Sequence, residues 1–192
     1  VGLAWGILNW NIQMNTSNLI VVPPEEGPAP HPQIVDGLHR DGGLSHMDMQ
    51  EPHPRILLKI AYAISDQSDP ATGATRVVPG SNRLIGKIPV DPENNTAFGT
   101  IAMNVKAGDA FIFEQRTWHG IGRNSSDIAR KTIFMGYAYR WVKPMDYISM
   151  PENVLAKCTP IQKQLLGVVE DALSYYLPPD EDVPVKALVE DS

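Results

Sequence analysis

The clearest signal along this chain is alternation. In "RILLKIAYAIS" (55–65), Ile56, Leu58, Ile60, Tyr62 and Ile64 fall on one side of an extended backbone, the period of two that marks a strand. "NIQMNTSNLIVV" predicts one or two further strands. "TRVVPGS", "TIAMNVKAGD", "AFIFEQ" and "RKTIFMGYAYRW" predict others, with turn residues between them. Seventeen prolines and fifteen glycines punctuate these short segments rather than long helices. Short strands at this spacing predict a mainly β domain, a sandwich or a barrel.

Helices are expected last. Thr159-Pro160-Ile161-Gln162 reads as a capping box with proline at the first helical position. From there Ile161, Leu165, Val169, Ala172, Leu173 and Tyr176 share one stripe, which predicts a helix running to Leu177 and stopping at Pro178-Pro179. The tail from Asp180, with five carboxylates against one lysine, reads as a solvated cap or loose end.

Composition narrows the function classes. A chain of 192 residues, 43% hydrophobic, suits one domain with a full core. It has no run near the about 18 apolar residues of a membrane span. A net charge of −6 argues against sequence-independent nucleic-acid binding, which needs a basic face. The single Cys158 excludes an internal disulfide and fits a reducing, cytoplasmic setting. The start, "VGLAWGILNWNIQMN", has no basic n-region and no cleavage site of a signal peptide; it also lacks an initiator Met, so an upstream piece is expected.

"GLHRDGGLSHMD" (37–48) carries the candidate chemistry. It holds two copies of His-x-Asp, His39-Arg40-Asp41 and His46-Met47-Asp48. Two residues apart on an extended chain, a His and an Asp point the same way and can grip one ion. Either copy is also compatible with an ordinary surface loop. A third ligand must come from elsewhere. His119 lies far from the cluster, after the apolar strand 110–113 and before a glycine turn, so it is expected at the rim of a sheet. Two imidazoles and one carboxylate form the facial triad of non-haem iron oxygenases, which leaves positions open for co-substrate and O₂. Eleven residues on, Arg130 opens a strand whose same side continues with Thr132, Phe134, Gly136 and Ala138, while Lys131 faces away. A guanidinium on such a face can hold a carboxylate by two parallel hydrogen bonds.

Taken together and in order, "LHRDGG", "TGATRVVPGSNR" and "GDAFIFEQRTWHGIGRNSSDIAR" resemble the phytanoyl-CoA dioxygenase-like family of Fe(II)/2-oxoglutarate oxygenases. The likeness runs from about Asn15 to Trp141, and more loosely through "TPIQKQLLG" and "LPPDEDVPVKAL". The resemblance implies a double-stranded β-helix, a jelly-roll or cupin-like barrel, with flanking and C-terminal helices. It would place the catalytic core at 1–148 and a helical segment with the acidic tail of the same domain at 149–192. By resemblance His39, Asp41 and His119 are the iron ligands, Arg130 binds the distal carboxylate of 2-oxoglutarate, and Thr75 touches that co-substrate. His46 and Asp48 then become local structure or pocket lining.

Two positions and one length depart from the family pattern. Asp36 stands where many relatives carry Gln, and Asn82 ends a loop that usually reads "PGSH". Only 38 residues precede His39, fewer than relatives carry, which implies a short member or a fragment with an uncovered pocket and a tendency to form a homo-oligomer. The implied chemistry uses Fe(II), 2-oxoglutarate and O₂ to oxidise a C–H bond, releasing succinate and CO₂. The carboxylate of Asp41 favours hydroxylation, desaturation or ring closure, because related halogenases carry Gly or Ala there. "HPRILLK" and "GRNSSDIARK" are poor candidates for a CoA phosphate site, so the expected substrate is a small, partly apolar metabolite; Trp118 and Trp141 are candidates to line its pocket or to join the core. The competing readings are a cupin-like metal barrel that does not use 2-oxoglutarate, marked by a fourth His or Glu ligand, and a truncated barrel that binds without turnover.

Overall fold

The strand expected at 55–65 forms, but it is covered on both sides. Leu58 and Ile60 are buried on one face, and Leu57, Ala61 and Ala63 on the other; Ile64, expected to extend the first face, lies half exposed beyond the strand end. Apolar contacts on both faces mean an inner layer, not a surface strand.

A computed structural model describes residues 1–27, 37–41, 50–93 and 96–190. Its regular elements are α1 (Gly2–Leu8), β1 (Ile12–Val22), β2 (Leu57–Ala63), β3 (Thr75–Val77), β4 (Ile101–Ala102), β5 (Ala110–Glu114), β6 (His119–Ile121), β7 (Arg130–Tyr139), α2 (Glu152–Leu155), α3 (Pro160–Leu165) and α4 (Ala187–Glu190). The chain is mainly β. One sheet orders its strands β1-β7-β2-β5 and the other β4-β3-β6. In the second sheet β3 is antiparallel to both neighbours, with Val77 opposite Ile101 on one side and His119 on the other. None of the described helices is long and apolar enough to cross a membrane.

The chain divides into two compact units. The first comprises Val1–Ser17, Ile56–Leu58 and Met135–Ser192. It begins with α1, a helix that the expectation of helices only at the end missed; Ala4 and Leu8, one turn apart, are its buried stripe. The long helix expected from Pro160 to Leu177 is also corrected. Its start is as anticipated: the Thr159 side chain accepts from the Gln162 backbone, and the Gln162 side chain accepts from the Thr159 backbone. It ends after six residues. Gly167 adopts φ +82°, a left-handed conformation that stops helices, and Asp171 caps a separate turn at Ala172–Tyr175. The break resets the phase of the apolar stripe, so Leu173 and Tyr176 end up exposed.

Asp180 and Glu181 of the acidic tail are solvated as expected, but the stretch after them packs. Val183 and Val185 are buried, and Asp182 takes the wholly buried Arg140: Nη1 donates to the Asp182 backbone carbonyl at 2.9 Å and to its carboxylate at 3.3 Å. Gln164, also buried, donates to the carbonyls of Trp10 and Ile12 and accepts from the Val185 backbone. These polar contacts tie the last segment to the start of β1.

The second unit comprises Asn18–Arg55 and Lys59–Phe134. It holds two apolar clusters: Phe111 and Phe113 around Ala61, with Phe134 packed against them, and Leu38, Val78, Ile88 and Ala97, with Trp118 against them. Next to β3 and β6 the backbone runs very close. A Cβ on Gly73 would lie 2.6 Å from the Gly122 carbonyl oxygen, and one on Gly122 would lie 2.5 Å from that of Ala74. Glycine is what lets these segments touch.

Candidate metal and co-substrate site

His39 and His119 are brought together by backbone pairing. Each donates its N–H to the other's carbonyl, at 2.8 and 2.9 Å, an isolated antiparallel bridge on the edge of β6 that β3 leaves open. Residues directly opposite in an antiparallel pair project to the same side. The two imidazole rings accordingly lie 4.4 Å apart, centre to centre. His119 is therefore inside a strand pair rather than ahead of a glycine turn, as its sequence context suggests. Gly120 serves the pairing: a Cβ there would meet the Gly37 carbonyl at 3.1 Å.

Both rings are oriented alike. His39 Nδ1 is 3.0 Å from the Gly37 carbonyl and His119 Nδ1 is 2.9 Å from that of Thr117. A carbonyl only accepts, so each Nδ1 carries the proton and each Nε2 presents a lone pair. Those Nε2 atoms converge on Asp41, at 3.9 Å from Oδ1 for His39 and 3.7 Å from Oδ2 for His119. One ligand atom from each of the three lies within 4.8 Å of the others. Burial holds the His119 imidazole down to about 4, against the pull of the Asp41 carboxylate, so it is neutral at pH 7, the form that binds metals. Asp41 is fixed through its N–H, which donates to the Gln115 carbonyl at 2.9 Å. Arg40, between the two ligands, turns the other way: it donates to Glu51 and to the Leu84 carbonyl, both at 3.1 Å, and lies over the Trp118 ring.

Arg130 stands on the same cavity. Its side chain is fully buried, and Nη1 donates to the hydroxyls of Thr75 (3.2 Å) and Thr132 (3.3 Å). Nε and Nη2 are buried with no hydrogen-bond partner among the described residues. Burial works against the charge and lowers the pKa, yet a guanidinium remains protonated. A buried cation with two idle donors is an incomplete arrangement that a carboxylate completes. Lys131 is exposed, as strand parity requires. The cavity measures about 120 Å³ and is lined by His39, His119, Thr75, Lys59, Arg130 and Phe134, among others. At about 30 Å³ per water molecule it has room for a small acid. Among the described residues, the His39 side chain is half exposed and that of His119 is buried.

Lys59, which the sequence offers only as part of a poor CoA phosphate site, is a further member of this site. Its Nζ is 2.9 Å from Asp41 Oδ2. The signal was present: a lysine in the middle of the apolar strand "LLKIAYA". A much larger cavity, about 720 Å³, belongs to the first unit and is lined by Tyr147, Ile148, Tyr175 and Trp141 among others. It contains none of the predicted metal or co-substrate residues, so chemistry rather than size identifies the candidate site. Trp118 packs under Arg40 in the core, and Trp141 stacks on Tyr139 at 5.7 Å. Neither lines the small cavity. Asn82 donates to Glu114, consistent with a role in the fold. His46, Asp48 and Asp36 lie outside the described residues.

Comparison with known proteins gives the same direction. The chain is 33% identical over 141 residues to an uncharacterized protein of Mycobacterium tuberculosis, covering 67% of this chain and 50% of that one. It is 27% identical over 157 residues to the dioxygenase cdmA of Talaromyces verruculosus, covering 80% and 50%. The chain thus spans about half the length of these relatives. Among solved structures it shares its fold with the non-heme monooxygenase ThoJ in its nickel complex (TM-score 0.54, 18% identity, 97% of this chain and 64% of that one). It likewise matches SnoN, a non-heme alpha ketoglutarate dependent epimerase from nogalamycin biosynthesis (TM-score 0.51, 20% identity, 71% and 51%). The sequence pattern of the phytanoyl-CoA dioxygenase (PhyH) family matches residues 2–132, which takes in the His39–Asp41 pair, His119 and Arg130. By that match the chain belongs to the phytanoyl-CoA dioxygenase family.

Proposed function

We infer that this chain forms the core of an Fe(II)/2-oxoglutarate-dependent oxygenase built on a double-stranded β-helix. His39, Asp41 and His119 hold the iron, Arg130 holds the distal carboxylate of 2-oxoglutarate, and Thr75 steadies Arg130. The observation that carries this reading is the pairing, around one small cavity, of three convergent ligand atoms with a buried guanidinium that has two idle donors. A dicarboxylic co-substrate needs both features at once. The cupin-like alternative calls for a fourth His or Glu ligand, and among the described residues the cluster has three members.

Bound iron with 2-oxoglutarate supplies an O₂-derived oxidant for an unactivated C–H bond, with release of succinate and CO₂. The protein's own residues orient and protect. The carbonyls of Gly37 and Thr117 fix both imidazole tautomers, and Phe113, 4.5 Å from the His119 ring, keeps water from its buried side. Asp41 occupies the place that a halide would need, which favours hydroxylation, desaturation or ring closure. Of the cations in "HPRILLK" and "GRNSSDIARK", Lys59 pairs with Asp41, Arg123 with Glu25 and the Gly27 carbonyl, and Arg130 with two threonines. A small, partly apolar metabolite is the substrate class this supports. The free thiol of Cys158 is consistent with a cytoplasmic setting.

Anaerobic addition of Fe(II) and 2-oxoglutarate tests the reading before any substrate is known. A weak visible metal-to-ligand absorption should develop only with both present. Stoichiometric Fe(II) binding with no such band would favour the barrel that does not use 2-oxoglutarate.

A further inference from the structure

Lys59 is charged, mostly buried and unexplained by the ligand set. It stands in the middle of the apolar strand β2, its side chain only 14% exposed. Taking an ammonium out of water costs free energy unless an anion compensates. Asp41 is that anion, with Oδ2 at 2.9 Å from Nζ. The same oxygen is 3.7 Å from His119 Nε2, on the side where the three ligand atoms converge. An ion bound by those atoms and the Lys59 ammonium are like charges competing for one carboxylate, in surroundings where water screens them little. When the ion takes Asp41, the ammonium needs a second anion within reach of its flexible stem. Lys59 lines the cavity that also holds Arg130 and Thr75. A dicarboxylic acid anchored there at one end by Arg130 has its other carboxylate left for the ligand cluster and Lys59.

We propose that Lys59 is an exchangeable cation, paired with Asp41 in the metal-free protein and transferred to the metal-proximal carboxylate of the co-substrate once the ion binds. This rests on the oxygenase reading of the site. It makes the two binding events cooperative, and its effects have opposite signs: Lys59 opposes the ion alone and supports the co-substrate.

The test uses calorimetry under argon with Mn(II) and 2-oxoglutarate on the wild-type chain, Lys59→Met and Lys59→Gln. Mn(II) alone should bind both variants about tenfold more tightly than wild type, and 2-oxoglutarate should bind the Mn(II)-loaded variants about tenfold more weakly, within the usual about 5–150-fold of site coupling. Lys59→Arg should retain wild-type 2-oxoglutarate affinity. Methionine suits the apolar strand, and a thermal melt of each variant verifies folding. A purely supporting role for Lys59 gives the reverse, weaker Mn(II) binding in folded variants, and that result overturns the proposal. Variants that match wild type in both titrations overturn it too, while leaving the oxygenase reading intact. Wild-type protein that takes up no Mn(II) overturns the metal reading and this inference with it.

Discussion

Arg130 and Thr75 belong to different sheets, 55 residues apart, and are joined by a 3.2 Å hydrogen bond from Nη1 to the threonine hydroxyl. The bond fixes the guanidinium with Nε and Nη2 idle. Arg130→Ala is therefore expected to raise the 2-oxoglutarate requirement by one to two orders of magnitude, or about 1.5–3 kcal/mol, the range for hydrogen bonds to charged groups. Lys131→Ala, on the opposite face of the same strand and itself exposed, should leave it unchanged. Titration of 2-oxoglutarate against succinate formed separates the two; the opposite outcome would mean that the strand presents its other face to the cavity.

Only the first His-x-Asp copy is assigned to the metal. His39→Ala, Asp41→Ala and His119→Ala should each abolish stoichiometric Fe(II) binding measured by anaerobic equilibrium dialysis, because each removes one of three convergent donors. His46→Ala should bind iron as wild type does. Equal loss in the His46 variant would show that the wrong pair has been assigned.

Gly73 and Gly122 decide how closely the segments beside β3 and β6 approach. Gly73→Ala places a methyl group 2.6 Å from a backbone oxygen at a residue with φ +71°, and Gly122→Ala places one at 2.5 Å. Each should cost about 2–3 kcal/mol in urea denaturation, as strain and displaced backbone usually do. Gly6→Ala, in α1 with nothing within 4 Å, should instead stabilise by about 0.5–1 kcal/mol. A mild Gly73→Ala variant would mean that the backbone there yields.

Asp182 holds a fully buried guanidinium. Asp182→Ala leaves Arg140 without its carboxylate and should lower stability by about 3–5 kcal/mol, the usual cost of breaking one side of a buried pair. Lys186→Ala breaks an exposed pair with Asp180 and should leave the urea midpoint near wild type. If both variants unfold alike, the tail owes its packing to Val183 and Val185 rather than to the ion pair.

The sequence by itself determined what depends on neighbours along the chain. Alternation located the strands that became β1, β2, β5 and β7, and parity placed Arg130 and Lys131 on opposite faces. The Thr159 cap started α3, and the spacing of His39 and Asp41 aimed both at one point. Local rules failed where a distant partner or a single backbone dihedral intervened. Gly167 at φ +82° cut the C-terminal helix although the apolar period continued past it. Arg140 drew Asp182, one carboxylate of a tail that reads as solvated, into a buried pair. Tertiary structure alone decided that His39 pairs with His119, that Thr75 meets Arg130 across sheets, and that Lys59 reaches Asp41. The periodicity of a strand says which residues share a face; which residues that face meets depends on pairing between segments far apart in the chain.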